Sequence, residues 1–193
     1  MSNPKVKINS IVNLSNDWYT LDKINFDYQT NNGTWQNQNR ECYDRGDGAA
    51  ILLYNPIKKT VILTKQFRMP SYLNENNDGM MIEVCAGLLD KNDPITCIIK
   101  EAEEETGYKI SNPKKVFELY STPGAVTEKI HYFIAEYNDD LKVSNGGGLE
   151  EEHEEIEVME LPFSKALKMI SSGEICDAKT IILLQYAQIH KLI

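Results

Sequence analysis

Cysteine is scarce in this chain of 193 residues: Cys42, Cys85, Cys97 and Cys176 stand far apart with no CxxC spacing. Neither a disulfide framework nor a zinc site follows, and free buried thiols are expected. The three histidines, His131, His153 and His190, are equally scattered, so a histidine metal site is not expected. His131 sits in an alternating segment and reads as a packed or surface side chain. Long hydrophobic runs are missing, the longest being Ala49 to Tyr54 and Ile181 to Leu184, far short of the roughly 20 residues of a membrane span. Residues 1–13 carry no secretory hydrophobic region. Together these absences predict no membrane association and a cytoplasmic protein. Basic runs are absent too, and the net charge is −9, which argues against nucleic-acid partners. There are no repeats or linkers, and a hydrophobic content of 41% suffices for one domain with a full core.

Arginine is the scarcest charge. Arg40, Arg45 and Arg68 are the only three and lie in one stretch of the sequence. A guanidinium grips a phosphate or carboxylate with two parallel hydrogen bonds, which an ammonium cannot do. At least one arginine is therefore expected to meet an anionic ligand or orient an acid, with ordinary salt bridges as the other reading.

Against this background, the acids cluster. Asp93 and Pro94 form a cap and first helical residue, and Gly107 suits the position past the end, so a helix is predicted over 94–106. Taking about 100° per residue with Glu101 at zero, Glu105 falls near about 40° and Glu104 near about −60°. Ile95, Ile98, Ile99, Ala102 and Thr106 fall on the neighbouring face, at about 60° to 160°. Glu103, at about 200°, stands apart as a solvated acid. Three carboxylates on one side repel one another unless a cation offsets them. Mg²⁺, which takes oxygen ligands and keeps waters and substrate phosphates in its shell, is the cation expected. By itself, however, the EAEEE string reads as a solvated acidic face.

The wider pattern decides between the two. The run from Gly87 through Asp93, Lys100, Glu101, Glu104, Glu105 and Gly107 resembles the box Gx5Ex7REUxEExGU of the Nudix hydrolases. Asp93 stands in place of Glu and Lys100 in place of Arg, the interval between them is one residue short, and the half from Glu101 to Gly107 is intact. Residues 40–46, 84–90, 118–120 and 123–128 resemble the GDP-mannose pyrophosphatase branch of that family. The resemblance implies hydrolysis of the diphosphate of a nucleotide sugar, GDP-mannose to GMP and mannose 1-phosphate. Hydrolysis of ADP-ribose or ADP-sugars, and a non-catalytic nucleotide sensor, are the alternatives.

Residue by residue, the resemblance implies metal ligation of Mg²⁺, with Mn²⁺ as substitute, by the Ala86 carbonyl, Glu101, Glu105 and Glu152. Glu104 joins Glu101, Glu105 and Glu152 as catalytic. Glu152 lies in the segment after the glycines Gly146 to Gly148, with Glu150 and Glu154 as fallbacks, and the glycines are expected to let that loop close over substrate. The implied substrate contacts are Trp18, Arg40, Glu41, Arg68, Glu128, Glu151 and Lys179, Trp18 being alternatively a core residue. Asp93 and Lys100 are expected to pair.

The expected fold is an α/β/α sandwich around a mixed sheet, with an N-terminal antiparallel hairpin. Its regions are residues 1–45, a dimerisation hairpin by resemblance to the family, and 46–193, the Nudix hydrolase domain. Strands are predicted near 5–13, 18–28, 33–44, 49–54, 60–67, 80–86, 116–121, 129–136 and 156–161, with late helices near 163–172 and 178–192. The late helices turn Leu167, Met169, Ile170, Ile182, Leu183 and Tyr186 to the core. Asn31-Asn32-Gly33 is a hairpin signal.

Overall fold

The computed structural model describes residues 3–193, at Glu152 the backbone alone. The chain forms two compact units, one of Met1–Asp47 with Tyr120–Lys129 and one of Gly48–Leu119 with Ile130–Ile193. The cut expected at residue 45 is therefore not a simple one, because Tyr120–Lys129 groups with the N-terminal unit. The reason is backbone pairing: the Tyr43 amide donates to the Ala125 carbonyl at 2.8 Å, and the Thr127 amide to the Tyr43 carbonyl at 3.0 Å.

The first unit holds a three-stranded antiparallel sheet of β1 (Val6–Asn16), β2 (Thr20–Gln29) and β3 (Trp35–Asp44), formed by the three strands predicted near 5–13, 18–28 and 33–44. The predicted turn at Asn31-Asn32-Gly33 joins β2 to β3, with Gly33 at φ 86°. Trp18 lies in the turn between β1 and β2 and not at a strand start.

The second unit is built on a seven-stranded sheet. Its strands are β4 (Gly48–Asn55), β5 (Thr60–Phe67), β6 (Met80–Glu83), β7 (Cys85–Leu88), β8 (Lys114–Tyr120), β9 (Lys129–Glu136) and β10 (Glu157–Pro162). The path runs β10-β5-β4-β9-β8, with β6 on β5 and β7 on β4; β4 and β9 are parallel and the other registered pairs antiparallel. Every residue of β4 is buried, as its unbroken apolar run requires of a strand covered on both faces. Ala49, Ile51 and Leu53 pack with Ile98 and Ala102 of α2 (Pro94–Thr106) on one face. Ala50, Leu52 and Tyr54 pack with α3 (Phe163–Ser172) and α4 (Ala178–Ile189) on the other, which is the sandwich expected. Met169 and Leu183 are buried there, and Leu167, Ile170, Ile182 and Tyr186 pack against them.

Two elements depart locally from expectation. The segment predicted as one strand over 80–86 is two, because the Val84 amide leaves the ladder to donate to Thr180 Oγ1 at 2.7 Å. One short helix, α1, from Met69 to Leu73, was not foreseen. Among the described residues, no helix is long and apolar enough to cross a membrane.

Candidate active site

Helix α2 begins and ends where its caps dictate. The Asp93 carboxylate accepts from the Ile95 and Thr96 amides at 3.0 and 3.1 Å, and Gly107 closes the helix at φ 79°. Asp93 is thus a helix cap, and the ion pair shown for Lys100 is with Glu104, at 3.0 Å, not the Asp93 pairing expected. Fixed this way, α2 sets its acidic side against β7. Glu101 lies on Gly87 so closely that a methyl group there would overlap its carboxyl carbon. One turn on, Glu105 is 2% exposed and accepts from the Ala86 amide at 3.2 Å. Glu101 and Glu105, which the helical spacing put on one side of α2, thus meet the backbone of Gly87 and Ala86 on one short strand.

Burial pushes Glu105 up to about 8, with the charges of Glu101 and Glu154 adding to the effect and hydrogen bonds from Cys85 and the Ala86 amide opposing it. The Cys85 thiol is itself raised, by burial and then by Glu105.

The glycine loop serves close packing. The Gly147 amide donates to the Glu105 carbonyl at 2.9 Å and the Gly148 amide to the Glu104 carbonyl at 3.2 Å, satisfying helix-end acceptors. A side chain at Gly146, at φ 66°, would run into the Glu105 carbonyl. These glycines dock the acidic segment onto the helix end, where closure over substrate was expected of them. Beyond them, Glu154 accepts from the Leu149 amide at 3.2 Å and lies near enough to act on the charge of Glu105. Glu151 is exposed, and the side chain of Glu152 lies outside the described residues.

A second charged cluster flanks this region. Glu83, 4% exposed, accepts from Arg68 Nε at 2.7 Å on one carboxylate oxygen and from Lys179 Nζ on the other. Lys179 also meets Asp177 at 2.8 Å, and Asp177 caps α4 through the Thr180 amide at 2.9 Å. Burial alone would raise Glu83; Lys179 and Arg68 outweigh it and hold the carboxyl below its ordinary range. The Arg68 side chain is 42% exposed and Lys179 16%. Arg68 lines a groove of about 880 Å³ together with Lys65, Met80, His153, Glu154 and Glu157, a volume suited to a small ligand.

The remaining candidates lie in the first unit. Trp18 is 84% exposed, so the core reading is excluded and its ring is open for stacking. It meets Tyr19 edge to face at 6.3 Å, Arg45 stands 5.6 Å over the Tyr19 ring, and Arg45 Nε lies 3.5 Å from Glu128. Arg40 lines a mainly apolar groove of about 570 Å³ with Cys42, Tyr120, Pro123 and Val126. Arg40 and Glu41 alternate to opposite faces of the sheet, Arg40 opposite Ile24 and Glu41 opposite Lys23.

Reading the sequence missed Glu83, although a lone carboxylate inside the apolar run 80–86 was a signal. It also missed Arg45 as the partner of Glu128, which no local pattern carries.

Among the described residues, no three His, Cys, Asp or Glu side chains converge into a ready-made metal cage. Mg²⁺-type cations do not need one, since water and ligand phosphates fill most of the shell. A carboxylate raised by burial and then by two neighbouring acids, seated on the Ala86 backbone with Glu101 against the next residue, offers hard oxygen donors that fit such a cation.

A family model described as the NUDIX domain matches residues 44–177, and one described as the GDP-mannose pyrophosphatase NudK N-terminal domain matches residues 5–43. The chain is 56% identical over 179 residues to a GDP-mannose pyrophosphatase of Salmonella typhimurium (strain LT2), covering 93% of each chain. It is 55% identical over 190 residues to one of Yersinia enterocolitica, covering 97% of this chain and 98% of the other. With one of Shigella dysenteriae the identity is 54% over 180 residues, covering 93% of each chain.

Proposed function

The chain belongs to the NUDIX family, and from that premise we propose that it hydrolyses the diphosphate bond of GDP-mannose, giving GMP and mannose 1-phosphate. The observation that carries this reading is the meeting of Glu101, Glu105 and Ala86 on β7, in a chain similar along most of its length to GDP-mannose pyrophosphatases.

Glu101, Glu105 and the Ala86 carbonyl would hold a divalent cation, Mg²⁺ with Mn²⁺ as substitute, and Glu152 from the docked acidic segment would complete the set. When bound, the cation supplies positive charge against the diphosphate oxygens and makes water a stronger acid. The chain supplies the rest. Glu104, held by Lys100, adds negative charge beside the ligands, and an acid of the 150–155 segment accepts the proton released by the attacking water. Arg68 offers its exposed guanidinium to the diphosphate, and Lys179 adds a second charge close by.

Base and sugar recognition falls to the first unit, with Trp18 as the stacking surface and Arg40, Glu41 and Glu128 as polar contacts; Glu151 is a further contact from the acidic segment. Pairing of two copies through the first unit is part of the same reading, since β1 is exposed along its whole length, and so is a cytoplasmic location.

Turnover of GDP-mannose, ADP-ribose and ADP-glucose, each with Mg²⁺ and with chelator, tests the proposal. Magnesium-dependent cleavage led by GDP-mannose is expected. Cleavage led by ADP-ribose would overturn the substrate, and no cleavage of any would overturn the chemistry.

A further inference from the structure

Glu83 carries one negative charge shared between two cations from distant parts of the chain. Arg68 comes directly after β5 and Lys179 opens α4, and each takes a different oxygen of the same carboxylate. Two cations on one carboxylate stand within a few ångströms of each other, where like charges would otherwise separate. The Nε contact at 2.7 Å fixes the plane of the guanidinium and leaves its terminal amino pair for an incoming anion at the groove. Stability alone does not call for the arrangement, because buried ion clusters are often replaced by apolar residues at no loss.

We propose that Glu83 is a positioning residue for the diphosphate, holding Arg68 and Lys179 side by side so that substrate meets a preset pair of cations. It touches no substrate itself and acts through its two partners. The inference rests on the reading of Arg68 and Lys179 as diphosphate-facing, and the two claims fail differently.

Two roles for Glu83 predict opposite signs. If it only offsets positive charge, Glu83→Gln leaves Arg68 unbalanced and Lys179 with Asp177 alone, and the protein binds a diphosphate more tightly. If it positions them, the same change lets them separate and binding weakens. Titration calorimetry with GDP in chelator, where turnover does not intrude, reads that sign on the wild type, Glu83→Gln, Arg68→Ala, Lys179→Met and the combination of Glu83→Gln with Arg68→Ala. Expected is a loss of about tenfold for Glu83→Gln, of the size of a lost charge-assisted contact. In the Arg68→Ala background, the further loss on adding Glu83→Gln should be less than about threefold, because coupled residues are not additive.

With GDP-mannose, KM should rise in step while kcat changes by less, which a general loosening of the fold would not produce. Unchanged or tighter GDP binding by Glu83→Gln overturns the proposal, as does full additivity with Arg68→Ala. If neither Arg68→Ala nor Lys179→Met weakens GDP, the diphosphate-facing reading of the cations fails, and the proposal with it. Should Glu83→Gln not fold, Glu83→Asp keeps the charge but is one methylene short of spanning both partners. It should also bind GDP more weakly than wild type, and wild-type affinity in that variant overturns the proposal.

Discussion

At the scale of single residues, Glu105 concentrates the physics of the site. It is a carboxyl group with almost no exposure, raised to about 8 first by burial and then by Glu101 and Glu154. Glu105→Gln keeps the volume and removes the ligand charge, so turnover should fall by several orders of magnitude while circular dichroism stays unchanged. A loss of less than about tenfold would sink the assignment. The raised value also sets a pH dependence. Between its ordinary value of 4.5 and about 8, the folded chain keeps a proton that the unfolded chain has released, so stability falls as pH rises through that window. The metal-free protein should therefore lose melting temperature between about pH 5 and about pH 8. In scanning calorimetry this fall should be smaller in Glu105→Gln, and added Mg²⁺ should restore the wild type at the upper end.

At the scale of elements, the site depends on how α2 is held at both ends. Asp93 and Pro94 start it, Gly107 stops it, and the loop after Gly146 takes over the carbonyls of its last turn. Gly146 is at φ 66° with the Glu105 backbone against it, so Gly146→Ala meets both strain and overlap, costing about 1–3 kcal/mol. Urea unfolding should report that loss, and activity should fall with it because the acidic segment is displaced from Glu105. Gly124 has open space around it, so Gly124→Ala, measured alongside, should change stability by less than about 1 kcal/mol.

At the scale of the whole molecule, the first unit presents an apolar face that the described chain leaves open. Val6, Ile8 and Ile11 stand opposite Tyr28, Phe26 and Ile24 in the sheet, and Ile8 and Ile11 are 63% and 58% exposed. A face of this kind on an edge strand invites pairing with another chain. Sedimentation should show a dimer, and Ile8→Lys with Ile11→Lys should shift it to monomer without unfolding either unit. A wild-type monomer at all concentrations tested would remove the dimer from the proposal.

What the sequence determined by itself was local. The caps at Asp93 and Gly107 set α2 to 94–106, and the helical period put Glu101 and Glu105 on the side that meets β7, because both signals act over a few residues. The apolar run over 49–54 likewise marked a strand, which is β4. The tertiary structure decided what is non-local. Residues 83 and 179 lie 96 positions apart, and no pattern within a window of the chain says that the carboxylate of one accepts from the ammonium of the other. The same holds for Tyr120–Lys129 grouping with the first unit through Tyr43, for the break at Val84 forced by Thr180, and for Trp18 standing exposed in a turn. Local propensity restricts each segment to few conformations, but which polar groups find one another is settled only when burial requires every one of them to have a partner.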